Sequence, residues 1–344
     1  MVEAPLRRIA FGPATAVVKR RDDGSLLLSS TEPLRVHPPR FTERLFHWAA
    51  VTPGRVFLAQ RTTGGEWCAL TYAEAGTRVR AIGQALLDRK LSADRPVAIL
   101  SGNDFEHALL ALAAMHVGVP YAPISPAYSL LSSDHERLKY IMGLLGPGLV
   151  FAASGDAYAR ALNAAVPRDV ECVFTREPAA GRHGGLFAAL EAVPGTDVDD
   201  AHEAVGPDQV AKILFTSGST GGPKGVINTH RMLCRNQQMI LQSLPHYGEV
   251  PPVLVDWLPW HHTAGGNNDF GLIVYNGGTL YIDEGRPQPD LIGPTVRNLR
   301  DIATTAYISV PRGYEALLPY LQEDSALREK FFSRLGFLFY AGAA

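Results

Sequence analysis

The stretch Lys212-Ile-Leu-Phe-Thr-Ser-Gly-Ser-Thr-Gly-Gly-Pro-Lys-Gly225 decides how the rest of the chain is interpreted. Its apolar run, residues 213–215, predicts a short buried strand that leads into a loop rich in hydroxyls and glycines. Glycines let the backbone turn with positive φ, so successive N–H groups can form a concave anion site. Lys224 adds a mobile positive charge, and a unit ion pair at about 4 Å is worth about 4 kcal/mol at an effective dielectric of about 20. The stretch therefore predicts a phosphate-binding loop over residues 216–225.

A flexible surface linker has a similar glycine- and serine-rich composition, so the loop alone leaves that alternative open. Here a strand precedes the loop, and Pro223 and Lys224 stand at its end. The Walker pattern G-x-x-x-x-G-K-[ST] is not met, because Lys224 is followed by Gly225. The stretch resembles, nearly letter for letter, the signature loop of the adenylate-forming superfamily. That superfamily comprises acyl- and aryl-CoA synthetases, luciferases and peptide-synthetase adenylation domains.

The resemblance implies that this loop binds ATP. The nucleotide-binding residues that it implies are Thr216, Ser217, Gly218, Ser219, Thr220, Gly221, Gly222 and Lys224. Thr216 would lie near the phosphates and a Mg²⁺ ion, and Lys224 would supply positive charge. The carboxylate ligand of the metal would come from a motif beyond Ala344.

Composition excludes several classes of protein. The 344 residues are 46% hydrophobic and 19% charged, which is ordinary for a soluble globular protein. The net charge is −2 without a basic run, so neither nucleic acid nor an anionic membrane is a predicted partner. The three cysteines lie far apart without metal-ligand spacing, and the N-terminus lacks a signal-peptide pattern, which favours a cytoplasmic protein. The oligomeric state stays open.

Strand and helix patterns alternate along the chain and predict an α/β fold. Short strands are predicted at 96–100, 117–124, 149–152, 172–175, 213–215, 253–258, 279–283, 305–310 and 337–341. Helices are predicted at 41–51, 104–116 and about 229–244, after a Thr71/Glu74 capping box and after a Ser133/Glu136 capping box. Residues 177–206 are predicted to be a loop region with one short helix. The alternation predicts a multi-lobed architecture of mostly parallel sheets flanked by helices.

A second informative stretch is Trp257-Leu-Pro-Trp-His-His-Thr-Ala-Gly-Gly-Asn267. Two adjacent histidines suggest a zinc site, but neighbouring side chains diverge on an extended chain and no further ligand stands at metal spacing. Either histidine could also be an ordinary core residue. The pattern resembles the superfamily motif Leu-Pro-x-x-His, on which His262, not His261, is the matching histidine. The resemblance implies that His262 lies beside the substrate carboxylate and the pantetheine tunnel. The predicted substrate-binding residues are His262, Ala264, Gly265, Gly266 and Asn267.

The third match is the end of the chain, Phe-Tyr-Ala-Gly-Ala-Ala344. It resembles the superfamily's Gly-Ala-Ala turn, which implies that Gly342, Ala343 and Ala344 line the adenine and acyl pockets. An ordinary strand end rich in small residues is the alternative for this stretch taken alone.

Residues 41–344 resemble the large N-terminal AMP-binding domain of an acyl- or aryl-CoA synthetase, with residues 1–40 as an N-terminal extension. The stretches 101–104, 123–129, 258–263 and 275–283 more narrowly resemble feruloyl-CoA synthases, which are bacterial hydroxycinnamate–CoA ligases. The resemblance implies a ligase that uses ATP, Mg²⁺ and coenzyme A to convert an aromatic carboxylate to an acyl-adenylate and then to a thioester.

The motif with the Mg²⁺-binding glutamate and the small C-terminal lid domain with its catalytic lysine are not found in residues 1–344. We therefore expect a fragment of a longer enzyme that is nearly inactive by itself. Two alternatives stay open. One is a fatty-acyl or other carboxylate–CoA ligase of the same superfamily, and the other is a non-catalytic nucleotide- or acyl-binding module.

Overall fold

The computed structural model describes residues 6–191, 197–216 and 222–342. Its strands are β1 Ala16–Arg20, β2 Leu26–Ser30, β3 Val56–Arg61, β4 Trp67–Thr71, β5 Val97–Ile99, β6 Tyr121–Pro123, β7 Leu149–Ser154, β8 Glu171–Arg176, β9 Gly184–Leu186, β10 Val210–Thr216, β11 Lys224–Thr229, β12 Val253–Asp256, β13 Thr279–Ile282, β14 Ala306–Ser309 and β15 Phe337–Tyr340.

The α-helices are α1 Glu43–Val51, α2 Tyr72–Asp88, α3 Phe105–His116, α4 Ala127–Leu130, α5 Glu136–Leu145, α6 Gly155–Ala165, α7 Asp197–Ala204, α8 His230–Ser243, α9 His246–Glu249, α10 Phe270–Asn276, α11 Gly293–Asp301, α12 Pro311–Glu323 and α13 Ser325–Ser333. A 3₁₀ turn covers Phe187–Leu190, and a π-helical turn, Ala264–Asp269, leads directly into α10.

The largest sheet has seven strands in the order β11-β10-β6-β5-β7-β8-β9. All neighbours are parallel except β11, which runs antiparallel to β10. Strands β5 and β6 are connected through α3, whose N-cap Asp104 accepts a hydrogen bond from the His107 N–H at 2.6 Å. Parallel neighbours require such a crossover connection, so the predicted strand–turn–helix–strand unit is confirmed.

A second sheet has the order β12-β13-β3-β4, and β14 and β15 form a separate parallel pair. Helix α3 is apolar on nearly every side, and its leucines belong to a buried cluster that includes side chains of both larger sheets. Burying all faces of a helix requires packing partners all around it. Mixed α/β layers with mostly parallel sheets therefore match the predicted fold class.

Several local predictions are confirmed. The Thr71/Glu74 capping box starts α2 with both reciprocal bonds present, and the helix predicted from about residue 229 is α8, capped by Thr229. The predicted Ser133/Glu136 box is wrong. His135 occupies the N-cap of α5 with φ +56° and makes no side-chain cap, while Asp134 Oδ1 accepts from the Glu136 N–H at 3.2 Å.

Strands β1, β2, β3, β4, β9 and β11 were not among the predicted elements. In β9 and β11 most positions are exposed, so the alternation of apolar and polar residues that reveals a half-buried strand is absent. The segment before α1 includes the exposed hairpin β1–β2. Arg7 Nη2 donates to the Ser333 carbonyl at 3.0 Å, which attaches the start of this segment to the far end of the chain.

Candidate active site

The described ends of the predicted phosphate loop belong to the antiparallel strand pair β10–β11. Thr216 is the last residue of β10 and pairs directly with Lys224, the first residue of β11. The sequence-based interpretation treated Lys224 as part of the loop; in the structure it begins a strand. Directly opposed residues in an antiparallel ladder have Cα atoms about 4.5–5.5 Å apart, so the hydroxyl and the ammonium start from neighbouring positions.

Ser217, Gly218, Ser219, Thr220 and Gly221 lie outside the described residues, as do Ala343 and Ala344. After the loop, Gly222 is exposed, and a Cβ atom there would lie 2.9 Å from the Tyr140 ring of α5. The close contact fits glycine at this position. Lys224 is exposed to solvent, where its ammonium is accessible to an anion.

A cavity of about 430 Å³ lies between this hairpin and the histidine stretch, residues 257–267, and we call it the hairpin cavity. Its lining comprises Ser125, Tyr128, Leu214, Phe215, Thr216, Val226, Asn228, His261, His262, Thr263 and Asn267. Thr216 and His262 were predicted independently from stretches more than forty positions apart. The fold brings both to the wall of one cavity.

A neighbouring cavity of about 300 Å³, the strand-end cavity, shares Thr263 and Asn267 with the first. Its lining comprises Asn236, Leu258, Thr263, Ala264, Asn267, Asn268, Ile308, Ser309, Val310, Phe339 and Ala341. Ala264 from the second stretch and Ala341 from the chain end therefore face the same space. Gly342 follows with φ +103°, a left-handed conformation that favours glycine, and it is exposed.

Asn267 stands at the boundary of the two cavities. Its Nδ2 donates to Asn228 Oδ1 at 3.0 Å and to Thr263 Oγ1 at 3.1 Å. These bonds connect β11 of the hairpin to the histidine stretch. A predicted substrate-binding residue therefore also fixes the wall between the two cavities.

The two histidines differ in environment. His262 is exposed at the hairpin cavity, and its Nδ1 accepts from the Ala264 N–H at 3.4 Å. His261 lines the hairpin cavity and also a third cavity of about 540 Å³. Burial, and then the neighbouring His262 charge, lower the pKa of His261 to about 4. A neutral imidazole at neutral pH can both donate and accept a hydrogen bond. His261 is therefore a second histidine able to contact a ligand in the cavity, although the family motif pointed to His262 alone.

Asn103 holds the backbone that carries these histidines. Its Nδ2 donates to the Leu258 carbonyl at 2.9 Å, and its Oδ1 accepts from the Trp260 N–H at 3.0 Å. The Trp260 ring packs edge-on against His107 with centroids 5.2 Å apart. Asn103, in the stretch 101–104 that resembles feruloyl-CoA synthases, thus positions the histidine stretch.

The predicted substrate residues Gly265 and Gly266 lie behind the cavity wall. Both are buried, and neither is among the lining residues of the cavities described above. A Cβ atom on Gly265 would lie 2.4 Å from the Leu258 carbonyl oxygen, and one on Gly266 would lie 2.2 Å from the Trp260 carbonyl oxygen. The two glycines therefore serve the close packing of the π-helical turn against the preceding strand end, which the sequence pattern did not reveal.

Two buried carboxyl groups meet beneath this turn. Asp256 ends β12 at 2% exposure, and Asp269 ends the π-helical turn at 0% exposure. Within the described chain, Oδ2 of each carboxyl is buried without a hydrogen-bond partner. Burial raises the pKa of Asp269 to about 7, and burial followed by the Asp269 charge raises the pKa of Asp256. Burial beside a second carboxyl favours the protonated, uncharged state of such a group.

Lys212 is a further residue that sequence analysis did not single out. It is 2% exposed in β10, and its Nζ donates to the Gly266 carbonyl at 2.9 Å. The alternation along β10 was the available signal, because Lys212, Leu214 and Thr216 occupy the same face of a strand. A lysine on that face predicts either burial or contact with the site.

No group of three or more potential metal-ligating histidine, cysteine, aspartate or glutamate side chains comes together in the described ranges. Nor does any helix described there have the length and apolar character needed to cross a membrane.

The sequence profile of the AMP-binding enzyme family matches residues 45–344. Among curated proteins, the chain is 23% identical to the long-chain-fatty-acid–CoA ligase ACSBG2 of Gallus gallus over 339 residues, which are 92% of this chain and 43% of the ligase. It is 28% identical to the phosphinothricin tripeptide synthetase PhsB of Streptomyces viridochromogenes over 194 residues, which are 56% of this chain and 14% of the synthetase. The chain spans less than half the length of each of these relatives.

Solved structures share the fold. Apo MatB from Rhodopseudomonas palustris superimposes with a TM-score of 0.62 at 22% identity, covering 89% of this chain and 55% of MatB. A fatty acyl-adenylate ligase from L. pneumophila, solved with acyl adenylate and pyrophosphate, superimposes with a TM-score of 0.66 at 17% identity, covering 89% and 50%. At these identities the likeness concerns the fold alone.

Proposed function

Since the chain belongs to the AMP-binding enzyme family, we propose that it carries the adenylating site of a carboxylate–CoA ligase whose substrate is an aromatic acid, a hydroxycinnamate such as ferulate. The carboxylate would attack the α-phosphorus of ATP to give an acyl-adenylate and pyrophosphate. The CoA thiol would then displace AMP to give a thioester. Adenylation is needed because a bare carboxylate would have to expel oxide, a far poorer leaving group than AMP.

The hairpin cavity is the observation that carries this proposal. Thr216 and His262 both line this cavity, and Lys224 pairs directly with Thr216 in the hairpin. A reaction between two anions needs groups that hold them in line and offset their charge. Thr216 and Lys224 would bind the phosphates, and His262 would face the acyl carboxylate.

The metal fits the described residues only in part. Mg²⁺ prefers oxygen ligands, usually one or two carboxylates together with phosphates and waters. The described lining of the hairpin cavity provides the Thr216 hydroxyl but no carboxylate. We therefore assign no step of the reaction to the metal.

The strand-end cavity supports an aromatic, oxygenated substrate. In this cavity the apolar side chains of Leu258, Ile308 and Phe339 line the same space as polar side chains such as that of Asn236. Polar groups buried against an alkyl chain would lose their water without gaining a partner. Ring hydroxyl or methoxy groups could satisfy them, and Phe339 offers an aromatic face.

A long-chain fatty acid is the second candidate substrate, because several similar curated proteins are long-chain-fatty-acid–CoA ligases. An ATP–pyrophosphate exchange assay on the natural full-length protein separates the candidates. The panel would contain ferulate, coumarate, caffeate, benzoate, hexanoate and palmitate. We expect exchange with the hydroxycinnamates to exceed that with palmitate by at least about tenfold, the ratio that about 1.4 kcal/mol of differential binding gives.

Preference for palmitate would replace the aromatic assignment with the fatty-acyl one. Binding of ATP without exchange for any carboxylate would favour the non-catalytic module.

A further inference from the structure

The π-helical turn Ala264–Asp269 is held by side chains from two other elements. Lys212 of β10 donates from Nζ to the Gly266 carbonyl at 2.9 Å. Gln237 of α8 donates from Nε2 to the Asn267 carbonyl at 2.8 Å. The next backbone bond of the turn is the wide kind, from the Phe270 N–H to the Gly265 carbonyl five residues earlier. π-helical turns are rare and commonly stand at functional sites.

Both donors are almost completely buried, Lys212 at 2% and Gln237 at 1% exposure. Within the described chain, the Gly266 carbonyl is the one hydrogen-bond acceptor of the Lys212 ammonium. The other groups that face it are the Tyr121 ring of β6, 6.0 Å from Nζ, and His107 of α3. Burial lowers the pKa of Lys212 to about 7. A buried ammonium that loses its hydrogen bond costs free energy. Because Lys212 has this single protein acceptor, the bond strongly restricts where the Gly266 carbonyl can lie.

The two donors connect the turn to both cavities. Lys212 shares the face of β10 with Leu214 and Thr216, which line the hairpin cavity. Gln237 follows Asn236, which lines the strand-end cavity. The turn itself presents Asn267 at the boundary of the two. A displacement of the turn would therefore change the wall between the two cavities.

Gly271 provides the space that Gln237 occupies. A Cβ atom on Gly271 would lie 2.6 Å from Gln237 Nε2, closer than any real contact. The nearest atom is the end of a flexible side chain, so a methyl group there would displace the amide at little cost to the helix backbone. This glycine allows a single added carbon to break the bond to Asn267.

We propose that Lys212 and Gln237 are positioning residues for the carboxylate substrate, acting by holding the carbonyls of Gly266 and Asn267 so that the π-helical turn forms the wall between the two cavities. The inference rests on the proposed function for the identity of the substrate. Neither residue is expected to contact ATP, because both are almost completely buried, whereas Thr216 and Lys224 are exposed.

The test compares Lys212→Met, Gln237→Met and Gly271→Ala with Gln238→Met in the natural full-length protein. Gln238 is the matched control: it is also a buried glutamine of α8, but it bonds to Gln242 and to the Tyr275 hydroxyl. In ATP–pyrophosphate exchange with ferulate, we expect the first three variants to raise the KM for ferulate about tenfold, as expected for losing one buried hydrogen bond. The KM for ATP should change less than about twofold, and the control should change neither.

Equal increases in both KM values, or the same increase in the control, would overturn the proposal. Hydrogen exchange of the backbone amides over residues 264–271 provides a readout that does not depend on activity. Faster hydrogen exchange in the three variants but not in the control would support the positioning role, whether or not any carboxylate is a substrate. The absence of any carboxylate substrate would instead refute the proposed function. Unchanged exchange would refute the positioning role. Gly271→Ala removes no buried group, so it decides the question for Gln237 if Lys212→Met does not fold.

Discussion

The buried carboxyl pair predicts an unusual dependence of stability on pH, which Asp269→Asn should remove. In the unfolded chain an aspartate loses its proton near pH 3.9, whereas burial holds the pKa of Asp269 at about 7. Between these values the folded state binds more protons than the unfolded state. The free energy of unfolding contributed by this group is therefore highest below about pH 4 and falls as the pH rises toward 7.

The size of the effect follows from the shift. Each pH unit corresponds to 1.36 kcal/mol, so a shift of about three units amounts to about 4 kcal/mol for a group that is fully buried. Urea unfolding of the wild type and of Asp269→Asn at several pH values between 4 and 8 measures it. As the pH rises from 4 to 8, the free energy of unfolding of the wild type should fall by about 4 kcal/mol relative to that of Asp269→Asn. Taking the difference cancels the titration of buried groups that do not interact with Asp269; Asp256, whose pKa Asp269 raises, is the exception.

Asp324→Asn serves as a control of opposite sign. Asp324 accepts from the Leu327 N–H at 2.9 Å at the start of α13. That bond, followed by one from Arg300, lowers the pKa of Asp324. Its contribution is present above the unfolded pKa, near pH 3.9, and is lost only as the pH falls below that value. Asp324→Asn should therefore be less stable than the wild type by a nearly constant amount from pH 4 to 8. A difference for Asp269→Asn that stays constant from pH 4 to 8 would refute the raised pKa of this carboxyl.

Three further substitutions test the site and its packing. Lys224→Ala should raise the KM for ATP about ten- to a hundredfold, which corresponds to the loss of a charge-assisted hydrogen bond. His262→Ala should instead impair the carboxylate and thioester steps. Steady-state kinetics of the full-length protein measure both effects, and unchanged kinetics in both variants would contradict the assignments. Gly266→Ala should destabilise the protein by about 1–3 kcal/mol in urea unfolding, because the added methyl overlaps the Trp260 carbonyl. Its control, Gly143→Ala in α5, has open space around the new methyl and should stabilise by about 0.5–1 kcal/mol; equal effects at both glycines would contradict the packing argument.

Much of the fold was predictable because its signals are local. The Thr71/Glu74 box involves groups three residues apart, and its bonds depend on nothing outside that turn. The short apolar run before the loop could be recognised as a strand for the same reason. Where a local signal had two possible partners, prediction failed: the turn before α5 uses Asp134 rather than Ser133, although both residues can cap.

The predicted site was incomplete because motif resemblance names residues without their surroundings. Thr216, His262, Ala264 and Asn267 do lie on cavity walls. Gly266 was assigned to the substrate from its neighbours in sequence, yet its contact is with the backbone carbonyl of Trp260. A glycine can be required by a ligand or by the protein's own backbone, and the residue type does not distinguish the two.

By itself the sequence determined the alternation of strands and helices, the membership of the AMP-binding family and the residue types at the hairpin tip, since each of these depends on neighbours along the chain. Only the tertiary structure decided that Lys212 is buried and that its ammonium meets the Gly266 carbonyl more than fifty positions away. Burial and hydrogen bonding depend on which distant segments pack together. The pKa of a buried lysine and the shape of a cavity wall are therefore properties of the folded molecule.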